Sequence, residues 1–330
     1  MNLVTGGTGF VGAHVVQALL ARGEAVRCLV RPTSRMDLLD GLPVERVVGD
    51  VADPLAIRRA VAGCEAVFHC AADYRLGAPR PAELYRSNVE GTRCVLAACA
   101  DAGVRRVVYT STVGALGHRA DGGSADETTP ARLEDMIGAY KRSKFLAERE
   151  AEAWARRGLA VVIVNPSTPV GDGDVKPTPT GRIILDFVDG RMPAYVDTGL
   201  NLIDVRDVAE GHLLAAERGK PGERYILGHR NLTLREVLEI LSPVAGRPAP
   251  TLELPHWIPW LVAAISAPLA LALQRTTALS VESVRMSRRR MFFDAAKAVR
   301  ELGLPQNPVE EALARSVRWF RARGYTRRGS

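Results

Sequence analysis

The stretch Asn2-Leu3-Val4-Thr5-Gly6-Gly7-Thr8-Gly9-Phe10-Val11-Gly12 decides the fold. Leu3 and Val4 read as a short apolar strand, and Val11–Leu20 as an amphipathic helix behind it, with glycines at 6, 9 and 12 between the two. A dinucleotide-binding turn needs this arrangement. Gly6 permits the sharp bend, Gly9 lacks the side chain that would hold the backbone off a pyrophosphate, and Gly12 lets the helix lie close to the strand. The free N–H groups at the helix start face the phosphates. The spacing is G-x-x-G-x-x-G rather than G-x-G-x-x-G, so the flanking strand and helix carry as much of the reading as the glycines.

Outward from that turn, strands and helices alternate. Strands are predicted at Ala25–Val30, Val44–Gly49, Ala66–His69, Val104–Thr110 and Leu159–Val164, with helices at Pro54–Ala62, Glu83–Ala102 and Ala139–Arg157. This rhythm predicts a parallel sheet covered on both faces. It breaks after Asn165, where Pro166, Pro169, Gly171, Gly173, Pro177, Pro179 and Gly181 crowd together. The expected architecture is α/β: a Rossmann-type doubly wound parallel sheet over residues 1–165, with a smaller C-terminal α/β substrate lobe over 166–330. Residues near 202–217 are expected to return to the first domain.

The chain has 330 residues, 47% hydrophobic and 25% charged, as in ordinary soluble enzymes. The formal charge of +7 raises nucleic acid as a partner. The arginines, however, are spread along the whole chain, with dense spots only at Arg288–Arg290 and Arg327-Arg328. That distribution fits a dinucleotide ligand and solubility better than DNA. The five cysteines (28, 64, 70, 94 and 99) have no metal-site spacing and lie mostly in apolar segments, so they read as reduced core residues. No metal is expected. With no leader before the first strand, a cytoplasmic location is expected.

The chemistry lies further on. In Tyr140-Lys141-Arg142-Ser143-Lys144, Tyr140 and Lys144 fall one helical turn apart on one face. A neighbouring ammonium would lower the phenol pKa from its usual value of about 10. The tyrosine could then exchange a proton with an alcohol or carbonyl oxygen while a hydride moves. Tyr109-Thr110-Ser111-Thr112-Val113 ends the fifth strand, where open α/β sheets bind ligands. A hydroxyl there can stabilise charge developing on a substrate oxygen; which of Ser111 and Thr112 points inward stays open. At the end of the second strand, where NAD-selective proteins carry an acid for the ribose, stands Arg31, followed by Thr33, Ser34 and Arg35. A guanidinium there can grip a 2′-phosphate, so NADP(H) is expected, with NAD as the alternative.

Together these residues resemble the extended short-chain dehydrogenase/reductase superfamily, with its T-G-x-x-G-x-x-G turn, Ser/Thr after strand five and Y-x-x-x-K helix. Further matches are His69-Cys70-Ala71-Ala72, Asn88-Val89-Glu90-Gly91-Thr92 and Asn165-Pro166-Ser167. The resemblance implies that Thr112 is the catalytic hydroxyl, Tyr140 the acid/base, and Lys144 the group that holds both the nicotinamide ribose and the phenolate charge. It also implies that Gly6, Thr8, Gly9, Phe10, Val11 and Gly12 wrap the dinucleotide, and that Asp50 and Val51 meet its adenine. Ala71 and Ala72 would line the groove, and Pro166 would sit near the nicotinamide amide. Asp73, Tyr74, Ser111, Lys176 and Arg182 are the substrate candidates, with His118 and Met136 in neighbouring loops. The helices 83–102 and 139–157 would form a homodimer face.

The segments Ala72–Leu76, Tyr140–Glu148, Asn165–Val170, Lys176–Ile184 and Pro193–Asn201 resemble more closely the hopanoid-associated sugar epimerases, a group near dihydroflavonol-4-reductase-like enzymes. This implies a role beside bacterial triterpenoid lipid synthesis. Arg31 and Asn165-Pro166-Ser167 favour a reductase or dehydrogenase acting at a secondary alcohol/ketone carbon. An epimerase would keep NAD bound and grip a nucleotide diphosphate, for which Lys176, Arg182 and Arg288–Arg290 are available. A catalytically silent NADP-binding regulator would be expected to lack the tyrosine or the lysine, and both are present. Finally, Pro255-His256-Trp257-Ile258-Pro259-Trp260 leads into the uncharged run Leu261–Leu273. It is shorter than the roughly 20 residues of a membrane span and holds Pro268. It reads as a buried helix of the small lobe, or as an apolar wall or interfacial patch that would give weak contact with the inner membrane surface.

Overall fold

A computed structural model describes residues 1–74, 80–119, 121–258, 260–261 and 281–326. The large sheet contains β1 (Asn2–Thr5), β2 (Val26–Val30), β3 (Val44–Val48), β4 (Ala66–His69), β5 (Arg106–Thr110), β6 (Val161–Pro166) and β9 (Arg224–Leu227). Its order is β3-β2-β1-β4-β5-β6-β9, and every neighbouring pair is parallel. The chain reverses direction across the sheet between β1 and β4, which opens a crevice above their carboxyl ends. This is the doubly wound α/β fold expected from the strand–helix rhythm.

Alternate strand residues feed two cores. Val4, Phe68, Val108 and Val162 face α1 (Phe10–Ala21) and α7 (Val205–Arg218), whereas Leu3, Val67, Val107 and Ile163 face the opposite layer. That layer is α2 (Pro54–Val61), α4 (Gly91–Asp101) and α5 (Gly138–Arg156). Because both faces are covered, these strands are apolar at consecutive positions instead of alternating.

The helix expected over 83–102 is interrupted. It starts as α3 (Pro81–Tyr85), passes through a π turn at Arg86–Glu90, and only then becomes α4. The extra residue in that turn aims the buried Asn88 at the loop after β4, where Asn88 Oδ1 accepts the Asp73 N–H at 2.7 Å. Its amide donates to the Asp73 carbonyl and to Ser143 Oγ, each at 2.9 Å.

Beyond β6 a second, three-stranded sheet forms from β7 (Thr168–Val170), β8 (Gly199–Asp204) and β10 (Arg230–Thr233). It packs with α6 (Pro179–Val188), α8 (Leu234–Ala245) and the helix Val309–Ala322 around Leu202, Phe187, Leu238 and Phe320. Local chemistry sets these helix starts. Thr178 caps α6 with Pro179 in its first turn, and Thr233 with Glu236 forms a capping box on α8. Of the segment expected to return to the first domain, β8 stays in the small sheet while α7 packs on the large one; β9, further along, adds the edge strand. No helix among the described residues is long and apolar enough to cross a membrane. Arg75, Leu76, Pro259, residues 262–273, Arg327 and Arg328 lie outside the described residues. Trp257, Trp260 and Leu261 are exposed.

Candidate active site

The glycine turn behaves as a cradle. Gly6 adopts φ +73°, and a Cβ there would sit 2.7 Å from the Ala71 backbone; at Gly12 one would run into the Gly6 carbonyl. No side chain caps the start of α1, and its first turn holds no acid, so its N–H groups are left for an anion. The residues therefore fit a dinucleotide pyrophosphate. Ala71, which donates its N–H to Thr5 Oγ1 at 3.4 Å, and Ala72 run beside the turn. Arg31 stands exposed at the end of β2, its N–H bound to Ser34 Oγ at 3.0 Å, with no ion pair among the described residues. Asp50 Oδ1 is occupied by the Ala52 N–H, and Val51 is packed under Gly91.

Of the two hydroxyls, Thr112 lies beside the Tyr140 phenol. Its Oγ1 accepts the Gly114 N–H at 3.1 Å. Ser111 is buried instead, its Oγ without a partner among the described residues. Lys144 lies one turn along α5 from Tyr140 and is 2% exposed. Its ammonium donates to the Tyr109 hydroxyl at 3.0 Å and the Thr110 carbonyl at 2.6 Å. Burial lowers its pKa to about 8, against the charges of Glu148 and Cys70.

The phenol does not follow the expectation of a lysine-lowered pKa. Burial pushes Tyr140 up to about 12, against the neighbouring Thr112 hydroxyl and reinforced by the Asp73 charge. The reason is geometric: the lysine protons are directed at Tyr109 and Thr110, so in the protein alone desolvation governs the tyrosine.

Of the substrate candidates, Asp73 and Tyr74 come to Tyr140. Tyr74 donates to the Lys176 carbonyl at 3.0 Å, and the Lys176 ammonium lies 5.7 Å from its ring centroid. Burial raises the Tyr74 phenol to about 12, with Asp174, Asp73 and Tyr140 adding and Arg182 opposing. Lys176 and Arg182 are themselves exposed. Met136 belongs to a small core cluster with Ala115 and Phe145. His118 stacks near Phe293, with centroids 5.9 Å apart, and burial lowers it to about 4.

Several residues of the site escaped the sequence reading. Asp174, 3% exposed, takes the Thr178 N–H and hydroxyl, and burial raises it to about 6. Glu148 is fully buried between Arg224 and Asn165, whose amide also holds the Thr112 carbonyl at 3.1 Å. Its place four residues beyond Lys144, on the same helical face, was the available signal. Pro166 closes β6 opposite Leu227.

A family model described as the NAD dependent epimerase/dehydratase family matches residues 2–228. A Synechocystis sp. protein provisionally named dihydroflavonol 4-reductase is 51% identical over 328 residues, covering 98% of this chain and 95% of that protein. Sterol demethylase protein B of Methylococcus capsulatus is 40% identical over 325 residues, covering 98% of this chain and 99% of its own. Among solved structures, gox2253 superposes with a TM-score of 0.89 at 46% identity, covering 99% of each chain.

Proposed function

The chain belongs to the NAD dependent epimerase/dehydratase family, extended short-chain dehydrogenase/reductases, and we propose that it reduces a ketone, or oxidises a secondary alcohol, on an apolar polycyclic substrate with NADP(H). That it is an NAD(P)-dependent enzyme follows from the family and its relatives. The observation that carries the rest is the gathering of Tyr140, Thr112 and the buried Lys144 at the carboxyl end of β5, with Lys144 one turn along α5 from Tyr140 and bonded to the Thr110 carbonyl.

In this reading Gly6, Thr8, Gly9, Phe10, Val11 and Gly12 hold the pyrophosphate. Asp50 and Val51 hold the adenine end, Ala71, Ala72 and Pro166 line the groove, and Lys144 meets the ribose. When bound, the nicotinamide supplies or accepts the hydride. Thr112 binds the substrate oxygen and keeps it against the phenol. Tyr140, protonated at neutral pH, delivers its proton to that oxygen in reduction and recovers one in oxidation. Lys144 stabilises the phenolate that this leaves. Asp73, Tyr74 and Ser111 line the substrate side.

The reductase reading rests on Arg31, exposed and without an ion pair among the described residues where a 2′-phosphate would lie, and on Asn165-Pro166-Ser167 at the end of β6. The relatives' names, with sterol demethylase protein B among them, support a triterpenoid-like substrate and a place beside hopanoid synthesis. Exposed Trp257, Trp260 and Leu261 support a cytoplasmic protein in contact with the inner membrane surface. The outer face of α4 and α5 is the homodimer face. Lys176 and Arg182, exposed beside Tyr74, favour a second reading in which a nucleotide sugar is epimerised with bound NAD.

Mass spectrometry of the copurifying nucleotide, then 3-oxosteroids and nucleotide sugars assayed with absorbance at the reduced-nicotinamide band, separates the two. Arg31→Ser is expected to weaken NADPH about 10- to 100-fold by calorimetry, the loss of a charge-assisted phosphate pair, and to leave NADH unchanged. Tighter NADH binding by the native protein, or turnover confined to nucleotide sugars, refutes the reductase reading.

A further inference from the structure

A row of buried polar groups runs through the core beneath Lys144. At one end the Ala71 N–H, which can only donate, meets Thr5 Oγ1 at 3.4 Å. Thr5 Oγ1 lies 2.7 Å from His69 Nδ1, and His69 Nε2 lies 3.0 Å from Thr92 Oγ1. Thr92 donates to the Asn88 carbonyl, which can only accept, at 2.6 Å. Tyr109 stands beside this row: its ring centroid is 5.7 Å from that of His69, and its hydroxyl accepts from Lys144 at 3.0 Å.

The ends set the direction of every bond. An ammonium has protons and no acceptor, so the Tyr109 oxygen accepts from Lys144. Thr92 has one proton, already given to Asn88, so its oxygen accepts from His69. The His69 proton is thereby assigned to Nε2, and Nδ1 accepts from Thr5. The ring has to be neutral for this. Burial, reinforced by the Lys144 charge, lowers it to about 3. Thr5, His69 and Tyr109 are fully or almost fully buried on three neighbouring strands, and Thr92 follows the π turn on α4. The row thus links the nucleotide turn to α4, beside the Tyr109 ring.

We propose that Tyr109 is a positioning residue for Lys144: its oxygen, which accepts from the ammonium, holds that group at the crevice and favours its protonated form. The effect on turnover rests on the oxidoreductase reading above; the effect on Lys144 itself does not. The groups facing the ammonium come from every element around it. Glu148 on α5 favours the charge, as does Cys70 after β4, although burial keeps the Cys70 thiol up at about 11 and so neutral at working pH. His69 on β4 is neutral. On β5 the Thr110 carbonyl accepts a proton, and the Tyr109 ring centroid is 4.6 Å from Nζ. Burial outweighs these and leaves the lysine titrating near 8, so losing one acceptor moves its titration towards working pH.

Lys144 is one of only five lysines in the chain, the others being 141, 176, 220 and 297. NMR of 13Cε-lysine-labelled protein without nucleotide can therefore follow it, with a Lys144→Met sample assigning its signal. Tyr109→Phe, which removes the oxygen and keeps the ring, is expected to lower the Lys144 midpoint by about 1 to 2 pH units. A midpoint unchanged to within a few tenths of a unit overturns the proposal. Should Tyr109→Phe fail to fold, Tyr109→Met, which fills much of the ring's space without an oxygen, decides: its midpoint should fall likewise, and a midpoint equal to that of the native protein overturns the proposal. In turnover, the alkaline limb of carbonyl reduction should move down with Tyr109→Phe while KM for the carbonyl is retained. A shifted midpoint in a protein that reduces no carbonyl would defeat the oxidoreductase reading alone, whereas an unshifted midpoint in an active enzyme would defeat this one alone.

Discussion

Gly6→Ala and Gly23→Ala form a matched pair that separates backbone strain from steric contact at the nucleotide turn. The two glycines have nearly the same left-handed backbone, φ +73° and +75°. A side chain costs about 1–2 kcal/mol at either through that conformation. At Gly23, just past the end of α1, nothing lies within 4 Å of an added Cβ, so strain is the whole cost. At Gly6 the Cβ would sit 2.7 Å from both N and Cα of Ala71 and 2.9 Å from the Cys70 carbonyl carbon. Relief requires the backbone after β4 to retreat by roughly 0.7 Å to reach ordinary contact. That backbone is tied down, since Cys70 N–H bonds the Thr5 carbonyl at 3.1 Å and Ala71 N–H bonds the Thr5 hydroxyl. Overpacking of this kind adds about 1–3 kcal/mol, for a total near 2–5 kcal/mol. At about 2 °C per kcal/mol, Gly6→Ala should lower Tm by roughly 4–10 °C and Gly23→Ala by roughly 2–4 °C. Calorimetric titration adds the functional half: Gly6→Ala should weaken nucleotide binding tenfold or more, about the value of one misplaced phosphate hydrogen bond, and Gly23→Ala should not. Equal losses of Tm in the two variants, or full nucleotide affinity in Gly6→Ala, would refute the reasoning.

Two further outcomes are expected. Tyr140→Phe removes the proton donor and should lower kcat about 10²- to 10⁴-fold; nucleotide affinity measured by fluorescence titration should stay within about twofold, and a kcat above a tenth of native excludes Tyr140 as the acid/base. Stability should fall on mild acidification. Fully buried His69 and His212 are lowered from 6.5 to about 3 and about 4, so the unfolded chain takes up their protons first. Their stabilisation is complete above pH 6.5 and is lost progressively down to the folded values, on the order of 2 kcal/mol per histidine by pH 5. Urea unfolding at pH 7 and pH 5 reads this, and equal midpoints would contradict it.

The parts legible in the sequence were those coded by neighbours along the chain. The alternation of apolar runs with amphipathic helices identified the doubly wound sheet, and β4 begins and ends on the residues expected for it. The glycine turn and the Tyr140–Lys144 pair were visible because a turn and a helical period are local geometries. The π turn at Arg86–Glu90 was not visible, since the sequence there is compatible with ordinary helix and the extra residue is stabilised by what Asn88 meets: the Asp73 backbone and Ser143. The pKa of Tyr140 was misjudged for a similar reason. Its spacing to Lys144 was right, but the direction of the ammonium depends on Tyr109 and Thr110, more than thirty positions away.

By itself, then, the sequence determined that a strand, a glycine turn and a helix open the chain, that parallel strands follow, and that a phenol and an amine share one face of a late helix. Only the tertiary structure decided that Thr112 rather than Ser111 lies beside that phenol, that Lys144 turns towards Tyr109 and Thr110, and that Thr5, His69 and Thr92 line up in the core beneath it. Periodicity reports which way a side chain leaves its own element. A hydrogen-bond partner on another strand is chosen by sheet order and by the scarcity of acceptors in a dry core, and neither quantity is written in adjacent residues.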